Sequence, residues 1–136
     1  MNPREHLQYI RDLARRDGRY SPEAFVFISE AIGATAKWLQ DGTISPNDAG
    51  PNRGGEGEFH VSGKELLTGI RRLALEKWGP LAPTVFRHWG VRRTEDFGEI
   101  VFCMVEDATL QWKRRDCDTR ADFADGFDFD SSFNVI

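Results

Sequence analysis

Cysteine is scarce in this sequence, which has only Cys103 and Cys117 among its 136 residues. No Cys-x-x-Cys or paired Cys/His spacing is present, so the usual signature of a structural zinc site is missing. We therefore interpret both cysteines as free thiols in a reducing compartment, with Cys103 as a small core residue. A chain of this length buries about two-thirds of its unfolded surface and needs no disulfide or metal to hold a core.

Long apolar runs are also lacking, since no stretch approaches the roughly 18 residues that cross a bilayer. Residues 1–6 are polar and contain no apolar core of a signal peptide. The net charge of −4 gives no overall attraction to nucleic acid or to an anionic membrane. These features predict a soluble cytoplasmic protein without a membrane partner, and they argue against nucleic acid as a partner.

Motifs of the common catalytic and cofactor sites are missing. No histidine stands in a His-Glu-x-x-His frame, no glycine-rich loop ends in Gly-Lys-Ser/Thr, and no Gly-x-Ser-x-Gly occurs. We therefore predict no catalytic residue, no cofactor and no metal ligand. One location is an exception: His60 precedes a helix start with Ser62 and Glu65, where backbone amides can bind an anion. A structural histidine is the preferred interpretation there.

Apolar side chains at the helical period are abundant along the rest of the chain. Serine or asparagine precedes several of these segments and glycine follows several, as expected of helix caps. The pattern predicts helices at residues 3–17, 22–40, 63–78 and 81–89, and a fifth that starts after a Thr94 cap. The predicted fold is all-α: a single domain, residues 1–136, built as an irregular orthogonal bundle of about five helices.

Two segments depart from the helical pattern. Residues 41–59 hold five glycines and two prolines, which predicts a long flexible loop. Residues 116–136 alternate aspartate with phenylalanine and form a predicted C-terminal acidic/aromatic arm. We expect its phenylalanines to dock the arm on the helices, or alternatively to bind a partner. The docking candidates are Phe123, Phe127 and Phe133, and the partner-binding candidates are Phe127 and Phe129.

Three glycines, Gly33, Gly69 and Gly98, stand inside predicted helices. Glycine is less favourable than alanine at such positions by about 1 kcal/mol. A close approach by neighbouring atoms, which a Cβ would obstruct, explains why glycine is found there. We therefore predict that these glycines mark helix crossings in the core.

Arginine pairs could be gathered by the fold into a basic patch, and the candidates are Arg71, Arg72, Arg92 and Arg93. Two predicted helices joined through Gly90 also suggest a helix-turn-helix. The second of these helices carries five acidic residues between positions 95 and 107, and no lysine or arginine. It would repel phosphates, so a plain helical hairpin is the preferred interpretation.

Three strings carry a resemblance to known sequences: DGRYSPEAF at residues 17–25, HVSGKEL at residues 60–66 and WGVRRTEDFGEIVF at residues 89–102. Together with the arm, they are similar to an uncharacterised family of conserved hypothetical bacterial proteins. The family has no assigned activity, cofactor or partner, so the resemblance implies no catalytic residue.

Three functional hypotheses follow from these observations. The leading one is a small non-catalytic cytoplasmic module that binds a protein partner. The second is a nucleic-acid-associated regulator with a helix-turn-helix-like core that uses the four arginines of the basic pairs. The third is a small enzyme or anion-binding protein centred on His60.

Overall fold

The computed structural model describes residues 2–44, 61–107, 123 and 126–133. These residues are helical with connecting turns and include no strand, which confirms the all-α class. The helices are α1 (Pro3–Asp17), α2 (Pro22–Gln40), α3 (Gly63–Trp78), α4 (Ala82–His88), α5 (Thr94–Val105) and α6 (Phe129–Ser132). Residues 45–59 of the predicted loop, His60 and most of the predicted arm lie outside the described residues.

The predicted count of five helices is slightly off. Four helices, α1, α2, α3 and α5, have 12 residues or more, whereas α4 has 7 and α6 has 4. None of the helices in the described ranges is both long and apolar enough to cross a membrane.

Helix caps fix the ends of the first helices where the sequence placed them. The Asn2 side chain accepts from the Glu5 N–H at 2.8 Å, and Pro3 occupies the first helical position. Gly18 ends α1 with φ +78°, a left-handed conformation that suits glycine. The Ser21 hydroxyl then accepts from the Glu23 N–H to start α2.

The start of α5 differs from the prediction, because Thr94 is its first helical residue and not its cap. The Asp96 carboxylate reaches back instead and accepts from the Arg92 and Arg93 N–H groups at 2.8 and 3.2 Å. The Thr94 hydroxyl is used elsewhere: it donates to the Phe123 carbonyl at 2.6 Å and accepts from the Gly126 N–H at 3.0 Å.

The short helix α4 also differs from the prediction at its start. Gly79 and Pro80 lead into a 3₁₀ turn, Gly79–Leu81, before α4 begins at Ala82. Leu81, which the prediction placed at the start of this helix, lies in the turn and is 64% exposed, whereas Phe86 and Trp89 are buried.

Helix α2 lies at the centre of the fold, packed against α1, α3 and α5. Its two adjacent apolar faces explain this position, because both are covered. The ring of Phe86 from α4 forms the middle of an aromatic cluster. Its neighbours, with centroids within 6.3 Å, are Phe27, Trp78, Trp89, Phe97, Phe129 and Phe133.

The described part of the C-terminal arm docks on the helices through aromatic rings. Phe123, Phe129 and Phe133 are at most 4% exposed, while Phe127 is partly buried. Phe123 and Phe133 are buried as the docking prediction expected, and Phe127 is only partly buried. Phe129, a candidate for partner binding, is also buried, and its ring packs on Phe86.

The three helical glycines differ in their surroundings. A Cβ on Gly69 would lie 1.7 Å from the Thr35 hydroxyl of α2, and one on Gly98 would lie 2.8 Å from the Phe123 ring. A Cβ on Gly33 would have nothing within 4 Å, so the predicted crossing at Gly33 is wrong. Gly69 meets another helix as predicted, whereas Gly98 accommodates a ring of the arm.

Candidate interaction surface

The outer face of α3 presents two neighbouring arginines. A capping box starts this helix at Ser62, and its inner face is fixed by buried side chains such as Ile70 and Ala74. Arg71 and Arg72 follow Ile70 directly, so they point away from the core at the helical period. Arg71 is exposed and Arg72 is half-buried.

Arg72 is held in place by three neighbours. Its guanidinium carbon lies 4.1 Å from the centroid of the Trp38 ring, a cation–π contact. Its Nη1 donates to the Thr43 hydroxyl at 3.0 Å, and its Nε lies 3.5 Å from a Glu76 carboxylate oxygen. These contacts fix the orientation of the guanidinium. An isolated arginine on a surface has no such fixed orientation.

The segment after α2 forms a wall beside these arginines. Gly42 adopts φ +78°, and the chain turns back so that the Thr43 and Ile44 N–H groups both donate to the Trp38 carbonyl. Ile44 is 5% exposed as a result. This turn brings the Thr43 oxygens within reach of Arg72.

Arg71 connects the same face to the C-terminal arm. Its Nη2 donates to the Ser132 carbonyl at 3.0 Å, at the end of α6. This bond uses one of the five N–H donors of the guanidinium.

A depression of about 550 Å³ lies between these groups. It combines apolar side chains with two guanidinium groups and one carboxylate. The lining residues are Thr43, Ile44, Thr68, Arg71, Arg72, Leu75 and Glu76. We call it the α3 depression.

The other predicted arginine pair lies on a different element. Arg92 and Arg93 are exposed immediately before α5, and their backbone N–H groups hold Asp96. Their side chains make no hydrogen bond or ion pair within the part of the chain that the structure describes. The four arginines are therefore divided between α3 and the start of α5.

Helix α5 has the wrong surroundings for a recognition helix. Thr94, Phe97, Ile100 and Met104 are all buried against the rest of the fold. Its more accessible positions include Glu95 and other acidic residues. A face of this charge repels the phosphates of DNA.

The location predicted for an anion is occupied by a helix cap. His60 lies outside the described residues, but Ser62 and Glu65 are described and buried. The Ser62 hydroxyl accepts from the Glu65 N–H at 3.1 Å, and the Glu65 carboxylate accepts from the Ser62 N–H at 2.9 Å. The Glu65 carboxylate therefore already occupies the Ser62 N–H, which is one of the donors that a bound anion would need.

A polar network that sequence reasoning missed ties the turn between α1 and α2 to α5. Arg19 pairs with Asp17 at 2.9 Å and with Glu99 at 3.1 Å, and the Tyr20 hydroxyl donates to Asp96 at 2.7 Å. The partners of Arg19 and Tyr20 on α5 are about eighty residues away in the chain. Helical periodicity gives no signal for such distant pairs.

The surroundings of this network shift the pKa values of groups in it and beside it. Burial and the hydrogen bond to Asp96 raise the pKa of Tyr20 far above its usual value. Burial, followed by the charge of Asp17, raises the pKa of the Cys103 thiol. Burial opposes ionisation of Asp17, but hydrogen bonds from Arg19 outweigh it and hold the pKa of that carboxyl below its usual value. At neutral pH the phenol and the thiol therefore keep their protons.

Metal ligation finds no support in the described ranges, where no group of three or more His, Cys, Asp or Glu side chains could hold an ion. No family model, no curated protein and no solved structure matches this chain. The resemblance to a family of hypothetical bacterial proteins stays a prediction.

Proposed function

We propose that this chain is a non-catalytic cytoplasmic module that binds a protein partner through the α3 depression. The observation that carries the proposal is the fixed guanidinium of Arg72. It is stacked on Trp38 and tied to Thr43, beside the second guanidinium of Arg71.

A fixed arginine is well suited to protein recognition. A flexible arginine loses side-chain entropy on binding, about 0.5–1.5 kcal/mol for each long side chain that becomes ordered. The contacts of Arg72 with Trp38 and Thr43 have already removed part of that freedom. Arginine and tryptophan are also enriched among the residues that dominate binding energy at protein interfaces.

The protonation states of the polar network also support a non-catalytic role. A general base or a nucleophile needs a pKa near the working pH or below it. The pKa values of Tyr20 and Cys103 are shifted the opposite way.

A nucleic-acid-associated regulator is the second candidate, favoured by the exposed side chains of Arg92 and Arg93. The acidic positions of the adjoining α5 weaken it. It requires binding to DNA or RNA at physiological ionic strength that falls steeply with added salt.

The test is a quantitative capture experiment with tagged full-length protein from the lysate of its own cells. We expect at least one partner to be retained by the wild type and by Arg92→Gln, and lost with Arg72→Gln. Melting temperatures of the variants establish that each is folded. Equal capture by all three proteins, or no specific partner together with turnover in a substrate screen, would overturn the proposal.

A further inference from the structure

We infer that the α3 depression binds a short acidic peptide segment of its partner, in which one Asp or Glu stands beside a large apolar residue. This inference rests on the proposed function and specifies the chemistry of the partner.

The N–H donors that Arg71 and Arg72 leave free among the described residues indicate the polar half of the ligand. The Nε and Nη1 groups of Arg71 and the Nη2 group of Arg72 have no hydrogen-bond acceptor among the described residues. A carboxylate has two oxygens that match the parallel N–H donors of a guanidinium. Both arginines line the α3 depression, so their free N–H donors are available to an acidic side chain of the ligand.

Apolar lining defines the other half of the ligand. Leu75 lies one helical turn from Arg71 on α3, and Ile44 forms the facing part of the wall. The methyl groups of Thr43 and Thr68 add to this lining. An aliphatic or aromatic side chain next to the carboxylate would bury apolar surface here, at roughly 25 cal/mol per Å².

Glu76 makes the α3 depression more suitable for an acidic peptide than for a polyanion. Its carboxylate lines the α3 depression and lies 3.5 Å from Arg72, so it partly neutralises the site. A single carboxylate brings only one negative charge toward Glu76. A nucleic acid strand brings further phosphates at regular spacing, which Glu76 and the overall charge of −4 repel.

The bond from Arg71 to the Ser132 carbonyl is compatible with this occupant. The bond to Ser132 uses one of the five N–H donors of Arg71, so the Nε, Nη1 and second Nη2 hydrogens remain for a carboxylate. Arg71 can therefore bind the segment and keep its bond to the arm.

The experiment uses two arrays of eight-residue peptides probed with labelled full-length protein. In one array a single Asp or Glu stands beside Leu, Ile or Phe, and in the matched array Asn or Gln replaces the acid. We expect binding to the acidic array alone.

Calorimetry on the strongest peptide should show an affinity lowered at least about tenfold by Arg71→Gln and by Arg72→Gln, and unchanged by Arg92→Gln. If a Gln variant melts early, Arg71→Lys and Arg72→Lys replace it; they keep the charge and lose the planar fork, so weaker binding is still expected.

Three outcomes would overturn the inference: equal binding to both arrays, binding to neither array, or peptide affinity unaffected by all the arginine variants of α3. A single-stranded RNA of twenty nucleotides serves as the polyanion control. Salt-sensitive binding of that RNA, lost with Arg71→Gln, would assign the surface to nucleic acid instead. If the arrays fail while cellular capture still depends on Arg72, the interaction module stands and only the partner chemistry is wrong.

Discussion

At the residue scale, glycines inside helices show how little space separates the packed elements. Gly98 lies against the Phe123 ring, whereas Gly33 faces open space on the exposed side of α2. The same substitution at these two positions should therefore have opposite effects.

Gly98→Ala should destabilise the protein, because its Cβ would lie under 3.0 Å from three atoms of Phe123. Overpacking of this kind costs about 1–3 kcal/mol, which exceeds the gain of about 1 kcal/mol in helix propensity. Gly33→Ala makes no contact within 4 Å and should raise the melting temperature. Thermal unfolding of both variants tests this, and a Gly98→Ala protein as stable as the wild type would contradict the packing.

A second prediction concerns Gly69 and Thr35. The Thr35 hydroxyl is buried, has no hydrogen-bond partner among the described residues, and would lie 1.7 Å from a Cβ on Gly69. Gly69→Ala should therefore be strongly destabilising, and less so when Thr35→Ala has removed two of the three clashing atoms. Urea unfolding of the double-mutant cycle measures this coupling. Additive effects of the two substitutions would show that they do not meet.

At the element scale, the arm is attached to the helices by one threonine as well as by its rings. Thr94 accepts from Gly126 and donates to Phe123, which attaches the arm to α5 at two points. The sequence marked Thr94 as a cap, because Thr before two acids is typical of a helix start. Only the folded structure shows that the Thr94 hydroxyl bonds instead to Phe123 and Gly126, which are distant in the sequence.

Thr94→Val should remove both hydrogen bonds while keeping the shape of the side chain. The loss leaves a buried carbonyl and a partly buried N–H without partners, at about 1–3 kcal/mol. Hydrogen exchange should become faster at Gly126 and in the rest of the arm, while α1 and α2 change little. Thr94→Ser keeps the hydroxyl and serves as the control; equal exchange in the two variants would refute the role of this hydroxyl.

Helix positions could be predicted because caps and periodicity are local properties. The bounds of α1, α2 and α3 agree with those expected from Asn2, Ser21, Ser62 and the apolar stripes. Arg71 and Arg72 were among the four arginines that the sequence indicated as candidates for a basic patch, and both line the α3 depression. The stacking of Arg72 on Trp38 was not predictable, because it depends on how α2 and α3 cross and how residues 41–44 turn back.

At the scale of the whole molecule, the network of Arg19, Tyr20 and α5 links the first third of the chain to its last third. The folded pKa of Tyr20 is raised above its unfolded value of 10.0. Stability from this group is therefore complete below pH 10 and is lost as the pH rises toward the folded pKa.

The raised pKa of Tyr20 predicts that the free energy of unfolding decreases as the pH rises above 10.0. The variant Tyr9→Phe leaves Tyr20 as the sole tyrosine, so absorbance at 295 nm follows its ionisation alone. We expect Tyr20 to ionise above the value of 10.0 typical of an exposed phenol, or only when the protein unfolds. Ionisation near pH 10 in the folded protein would show that the bond to Asp96 is absent in solution.

The aromatic cluster around Phe86 has a consequence for the order in which the molecule assembles. Its rings come from positions as far apart as Phe27 and Phe133, so completing it closes a loop of about a hundred residues. Closing such a loop costs entropy before its contacts form, and contacts of this range slow folding relative to helical proteins with neighbour contacts only. Individual helices should therefore appear early in refolding, whereas the docking of Phe133 beside Phe86 comes last.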